Sequence, residues 1–179
     1  MKSILTVVFL GLVLTLTAQS NPILQENFYQ KMVDFKEFPT NFDIPTTLEG
    51  FEARFVAFQC RYFSDASSRT SGCSRGFIVI EKHQAADFSY LEFPQLASCR
   101  KLEISLFVFD KGSKNSIALQ KMANDNTWQT LEEYVFDKNS SSCVKWLPKS
   151  AESSETTKFR LAVFQKGSIA VTDIYIEGM

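Results

Sequence analysis

Lys101-Leu102-Glu103-Ile104-Ser105-Leu106-Phe107-Val108 places an aliphatic residue at every even position and a mixture at the odd ones. A period of two marks a strand with one face on a core and the other partly wet. The same grammar recurs on both sides of this octet. It predicts further strands at residues 23–28, 51–58, 76–81, 89–93, 116–122, 127–135, 143–147, 158–165 and 169–177. Turn-forming stretches lie between them, at 67–72, at Asn124-Asp125-Asn126 and at 138–142. Residues 29–47, with Pro39 and Pro45, read as a long irregular crossover. Many short strands punctuated in this way predict an all-β, antiparallel sandwich.

Leu106-Phe107-Val108-Phe109-Asp110-Lys111-Gly112-Ser113 has an echo in Leu161-Ala162-Val163-Phe164-Gln165-Lys166-Gly167-Ser168. Each strand runs into Lys-Gly-Ser and then another apolar strand, which reads as two hairpins built with one turn grammar. No fixed period recurs, so a duplication is not indicated.

Met1-Lys2, the largely apolar run of residues 4–16 and Ala18-Gln19-Ser20 form the three parts of an export signal, with cleavage expected after Ser20. That run is shorter than the roughly 20 residues a membrane-crossing helix needs, and no second run follows. Residues 21–179 are therefore expected to form one soluble domain, secreted or periplasmic, without membrane insertion. The 19 basic and 20 acidic side chains nearly balance, with no block of one sign. This lacks the basic stripe on which nucleic-acid binding depends. The 17 Phe mostly alternate with polar residues and are assigned to a thick core.

Cys60, Cys73, Cys99 and Cys143 make an even count in an exported chain, which favours two disulfides over a metal-thiolate site. Three pairings are possible. The reading prefers Cys60 with Cys73, closing a Ser-rich loop, and Cys99 with Cys143, tying distant strand ends. No C-x-x-C spacing suggests zinc.

Catalytic signatures are sparse. Asp173 and Glu177 tempt as a carboxylate pair, but four strand residues span roughly 13 Å, beyond the roughly 5–10 Å over which such pairs cooperate. Glu132 and Glu133 are adjacent and point to opposite faces of a strand. The single histidine, His83, lies in a polar stretch read as surface, and there is neither a Gly-x-Ser-x-Gly elbow nor a Gly-rich phosphate cradle. Asn139-Ser140-Ser141 fits the N-glycosylation pattern, which carries meaning only in a eukaryotic secretory pathway.

Arg75-Gly76-Phe77-Ile78-Val79-Ile80, Ser89-Tyr90-Leu91-Glu92-Phe93-Pro94-Gln95-Leu96 and Ser98-Cys99-Arg100-Lys101-Leu102-Glu103-Ile104-Ser105 follow one another in a distinctive order. Asn126-Thr127-Trp128-Gln129-Thr130-Leu131, Phe159-Arg160-Leu161 and Val171-Thr172-Asp173-Ile174-Tyr175-Ile176 complete it. The arrangement, over residues 50–177, resembles secreted bacterial galactose-binding-like jelly-roll modules. Such modules accompany polysaccharide lyases and glycoside hydrolases. The resemblance implies a jelly roll and a non-catalytic carbohydrate-binding function. It also implies a structural calcium where the first and last strands meet, with Glu26 and Asp173 resembling the acidic residues used there.

Sugar recognition needs aromatic faces against pyranose rings and polar groups that fix hydroxyls. Trp146, Tyr134, Tyr62 and Arg160 are the candidates, Trp146 foremost because it sits near a strand end, whereas Trp128 reads as core. A structural or adhesive protein that binds an extracellular protein is the second expectation, and a small polysaccharide hydrolase or lyase the third.

Overall fold

The computed structural model describes residues 22–29, 36–45, 54–64, 72–82, 87–110, 115–137, 142–165 and 167–178. Residues 1–20, where an export signal is expected, His83, Asn139-Ser140-Ser141 and Lys111-Gly112-Ser113 lie outside them. In chain order the strands are β1 (Pro22–Asn27), β2 (Lys36–Pro45), β3 (Arg54–Phe63), β4 (Phe77–Glu81), β5 (Ser89–Glu92) and β6 (Lys101–Asp110). They continue with β7 (Ser116–Met122), β8 (Trp128–Val135), β9 (Val144–Trp146), β10 (Phe159–Val163) and β11 (Ser168–Glu177). One 3-10 turn, Lys149–Ala151, separates β9 from β10. Among the described residues no helix is long and apolar enough to cross a membrane.

Every strand pair is antiparallel, and the hydrogen-bonded order is β8-β7-β10-β5-β3-β4-β11-β6-β9. The order folds into two layers because β3 serves both. Its residues Val56, Ala57 and Phe58 pair with β5, and Cys60 to Phe63 pair with β4. Between the halves Gln59 adopts φ +54°, a left-handed conformation in which a non-glycine residue marks a bulge or turn. The extra residue shifts the alternation. Phe55 and Ala57 face inward before it, and Cys60 and Tyr62 face inward after it.

The core fills the space between the layers. Leu91, Leu119 and Leu161 come from one layer, and Ile80, Ile104, Val171 and Ile174 from the other. Phe28, Phe55 and Phe93 meet edge to face, with ring centroids 5.6 Å apart in each successive pair. The expected inward set of the opening octet, Leu102, Ile104 and Leu106, is buried as read. Its opposite face is drier than expected. Phe107 joins Phe77, Val79 and Ala170 in a second buried cluster on the far side of the β4-β11-β6 layer, flanked by Phe63 and Phe109.

At the margin away from β3, the last strands of the two layers are latched. The indole N–H of Trp146 on β9 donates to Glu132 Oε1 on β8 at 3.1 Å, and the Ser150 hydroxyl donates to the other carboxylate oxygen at 2.9 Å. Tyr134 fills the gap, its ring 5.7 Å from Trp146 and 4.8 Å from Phe136.

Three expectations are corrected. Residues 36–45 form a strand, β2, rather than irregular crossover. It pairs with β3 alone among the described strands and has register breaks on both sides of Thr40, so proline, which lacks an N–H, is tolerated on this edge. The two Lys-Gly-Ser connections are not hairpins. β6 pairs with β11 and β9, and β10 with β5 and β7, so each connection passes from one layer to the other. Finally, the disulfide joins Cys73 to Cys143, whereas Cys60 and Cys99 are free and buried. Cys60 faces the core beside Ile80, to which it is paired, while Cys73 packs on the opposite face of that layer against the second cluster. The preferred partner was therefore out of reach through the sheet.

The bridge spans 70 residues, a loop whose closure in the unfolded chain corresponds to about 4 kcal/mol. Cys73→Ser is expected to lower stability by roughly that amount in denaturant titration. Non-reducing peptide mapping should recover Cys73 linked to Cys143; any link through Cys60 or Cys99 contradicts the fold.

The latch has a pH signature. Burial raises the proton affinity of the Glu132 carboxyl, but hydrogen bonds from Trp146 and Ser150 outweigh that and hold it below the usual glutamate value. A carboxyl with a lowered folded pKa stabilises the fold above its unfolded pKa and loses that contribution as pH falls through the folded pKa. Glu132→Gln is expected to cost about 1 kcal/mol at neutral pH. The difference in melting temperature between wild type and variant should then shrink on acidification through the glutamate range, and a constant difference would refute the latch.

Candidate functional site

Strand alternation sorts the first layer into two faces. Leu91, Leu119 and Leu161 point to the core, so their neighbours Tyr90, Gln120, Arg160 and Ala162 point out. Arg160 is the second residue of β10, opposite Glu92 on β5 and Gln120 on β7. Trp128 reaches the same face from β8, opposite Met122. The preceding turn sets its place. Asp125 Oδ1 accepts from the Thr127 N–H at 3.0 Å and from its hydroxyl at 2.6 Å, and Asn126 takes φ +62°, which closes a β7–β8 hairpin at the expected Asn-Asp-Asn sequence.

Arg160 is the hub of this face. Its guanidinium carbon lies 4.4 Å from the Trp128 ring centroid, 4.9 Å from Phe88 and 5.0 Å from Tyr90. Each such cation–π contact is worth about 0.5–2 kcal/mol, the more so away from water. Nε donates to Gln120 Oε1 at 2.6 Å, and the Gln120 amide donates to Thr130 Oγ1 at 3.0 Å. The side chain is thus fixed in plane and position although the residue is 7% exposed. Burial lowers its pKa, opposed by Tyr90 and Glu92. Desolvation likewise raises the Tyr90 phenol.

Aromatic rings extend from this hub across the strands. Phe58 stacks on Tyr90 at 5.1 Å, Tyr90 on Phe88 at 5.7 Å, and Phe88 lies 5.5 Å from the exposed Phe164. Alongside runs a trough of about 210 Å³ bordered by Ser116, Ala118, Thr130, Glu133, Ala162 and Phe164. Ala118 and Ala162 are directly paired, so two methyl groups leave the space that larger side chains would fill.

The other sequence candidates are placed elsewhere. Tyr62 is completely buried, its hydroxyl donating to the Phe28 carbonyl at 2.9 Å, and belongs to the core. The shifted alternation after Gln59 turned it inward and turned Arg61 outward, where Arg61 pairs with Glu81 and stacks on Phe109. Trp146 and Tyr134 form the interlayer latch, Trp146 being 5% exposed. Of the four, only Arg160 stands on the aromatic face. Trp128, read as core, stands there too, because it shares the outward parity of Thr130 rather than that of Leu131. The Asn-Asp-Asn turn fixes where β8 begins and was the available signal.

A larger concavity of about 690 Å³ lies on the other layer beside the disulfide. Lys101, Lys145, Glu103 and Asp173 on its wall are engaged internally. Lys145 donates to Glu103 at 2.8 Å and holds that carboxyl below the usual range, Lys101 adds a contact at 3.3 Å, and the Ser74 hydroxyl donates to Asp173 at 2.5 Å. The aromatic face is the better candidate, because it presents rings and N–H donors that internal partners do not consume.

Glu26 and Asp173 both border this concavity, as the calcium expectation required. Glu26 shares the inward parity of the buried Leu24 and Phe28, whereas Asp173 is offset by one from the inward Ile174 and accepts from Ser74 and Thr172. Their side chains therefore belong to opposite faces of the β1–β11 pair. Calcium needs six to eight oxygens, and no cluster of three or more acidic, Cys or His side chains able to hold a metal occurs among the described residues.

The free thiols do not supply a nucleophile. Burial pushes Cys60 far above the ordinary thiol range and Cys99 up to about 11, and reactivity requires the thiolate.

No family model matches the chain, and no curated protein matches it. Among solved structures it is similar to the K2 cleaved adhesin domain of Lys-gingipain, at 11% identity over 85% of this chain and 97% of that one, with a TM-score of 0.49. It is also similar to the CBM22-1 xylan-binding domain of Paenibacillus barcinonensis Xyn10C, at 6% identity over 89% of this chain and 95% of that one, with a TM-score of 0.52. The latter likeness, together with the two-layer antiparallel topology, makes the fold a jelly-roll β-sandwich.

Proposed function

We propose that this protein is an exported, non-catalytic carbohydrate-binding module whose contact surface is the outer face of β8-β7-β10-β5-β3. One observation carries the reading: Arg160 is held flat among Trp128, Tyr90 and Phe88 beside an open trough. Rings supply apolar faces for the C–H side of a pyranose, and a fixed guanidinium supplies N–H donors to hydroxyl oxygens. Because Gln120 and the rings already hold the arginine, little side-chain entropy is lost when ligand arrives.

The jelly-roll fold supports the reading by analogy, since the similar Paenibacillus domain is a xylan-binding one. A non-catalytic role is supported by the engagement of the carboxylates near the candidate surfaces: Glu92 pairs with Lys158, Glu103 with two lysines, and Glu132 with Trp146 and Ser150. Export is supported by the leader sequence and by the Cys73–Cys143 bridge, which persists in oxidising compartments.

A second reading, an adhesive surface for a protein partner, draws on the exposed Val56, Val135 and Phe164 of the same layer.

Affinity electrophoresis against a panel of plant and microbial polysaccharides tests the first reading. At least one polymer should retard the wild-type protein, and Trp128→Ala should weaken that retention about tenfold or more, as truncation of an aromatic anchor does. Trp146→Phe, which alters the latch rather than the face, should leave retention unchanged. Silence of the wild type on every polymer would favour the protein-partner reading.

A further inference from the structure

Resting on the binding face just proposed, we infer that its ligand is an acidic glycan, with the carboxylate of a uronic acid residue received by Arg160. The inference comes from how the molecule treats its two ring-stacked arginines. Arg61 lies over Phe109 at 4.8 Å and Phe63 at 5.9 Å, and Glu81 is bonded to it as counter-ion. Arg160 has the same aromatic bedding and is more deeply buried, yet its hydrogen bond goes to the neutral amide oxygen of Gln120. The acid directly opposite, Glu92, is committed to Lys158. Glu133 on β8 borders the trough opposite Ala118, not opposite Arg160.

A cation withdrawn from water is stabilised by an anion in contact with it, and a neutral acceptor replaces only part of the lost hydration. Nε is used by Gln120. Among the described residues Nη1 and Nη2 have no protein acceptor, and neither is sealed from solvent as an unsatisfied buried atom. Two N–H2 groups in one plane form the fork that a carboxylate meets with two parallel hydrogen bonds. The rings prevent the fork from turning away. The trough floored by Ala118 and Ala162 begins one outward position along β10 from Arg160, so a sugar ring lying there can bring a carboxylate on its rim to the fork. A neutral sugar would fill the trough and leave the fork without an anion in contact.

Matched polymer pairs provide the test, titrated calorimetrically with the full-length mature protein. The pairs are polygalacturonate with its methyl ester, alginate with its propylene glycol ester, and glucuronate-substituted with unsubstituted xylan. At least one acidic member should bind about tenfold or more tightly than its neutral partner, the increment of a charge-assisted hydrogen bond. The preference should fall with added salt, and Arg160→Gln should equalise the pair while residual binding still depends on Trp128. Equal binding of both members of every pair overturns the acidic-glycan assignment and leaves the carbohydrate-binding reading standing. Preference for a sulfated polymer over all carboxylated ones also overturns it. No binding to any polymer overturns both. Should Arg160→Gln fail to fold, the wild-type pair comparison repeated as pH falls through the uronate range decides, because protonation of the ligand should abolish the preference.

Discussion

A strand shared between two sheets must change which of its faces looks inward, and the rest of this molecule follows from how β3 does so. Gln59 absorbs the change in one left-handed residue. On one side of it Val56 and Phe58 look outward beside β5; on the other, Arg61 and Phe63 look outward beside β4. Without that bulge Tyr62 would sit outside and Arg61 inside, a cation buried in an apolar core. The bend also fixes where the layers diverge, and so how wide a core the aromatic side chains must fill.

The opposite margin is held differently. Among the described residues no strand is shared between the layers there; a polar contact from Trp146 to Glu132 and the wedge of Tyr134 close it. One flank of the sandwich is thus a shared strand and the other carries a side-chain latch. The aromatic face lies between these flanks, on strands whose inward residues are fully buried leucines. Its outward residues inherit that rigidity, which is why Arg160 can be placed by only one hydrogen bond and three rings.

Local periodicity made much of the architecture legible. The stretch from Ser116 to Met122 is a strand with the bounds expected from sequence, and the Asn-Asp-Asn turn after it closes a hairpin. Arg160 was legible as a binding candidate because it interrupts an apolar strand. What stayed hidden depends on partners distant in the chain. Nothing local distinguishes a Lys-Gly-Ser hairpin from a Lys-Gly-Ser crossing between layers, since the difference lies in whether β7 pairs with β6 or with β10. Nor does alternation survive a bulge whose residue is a glutamine rather than a glycine, which is why the expected strand stopped at residue 58 and Cys60 and Tyr62 were read at the edge of a loop. Trp146 and Trp128 exchanged roles for the same reason: strand parity, not residue type, decides which aromatic ring is a wall and which is a surface.

The two unbridged cysteines have a consequence for how the protein matures. Disulfide exchange needs a thiolate in line with a sulfur, and burial keeps Cys60 and Cys99 protonated in the folded chain. Scrambling is therefore confined to the time before the layers close, when all four sulfurs are exposed and equally acidic. Oxidation that outruns collapse would trap partners that the finished sandwich holds on opposite sides of a sheet. The order of events during folding, collapse first and oxidation second, is in this way written into the depth at which two sulfurs are stored.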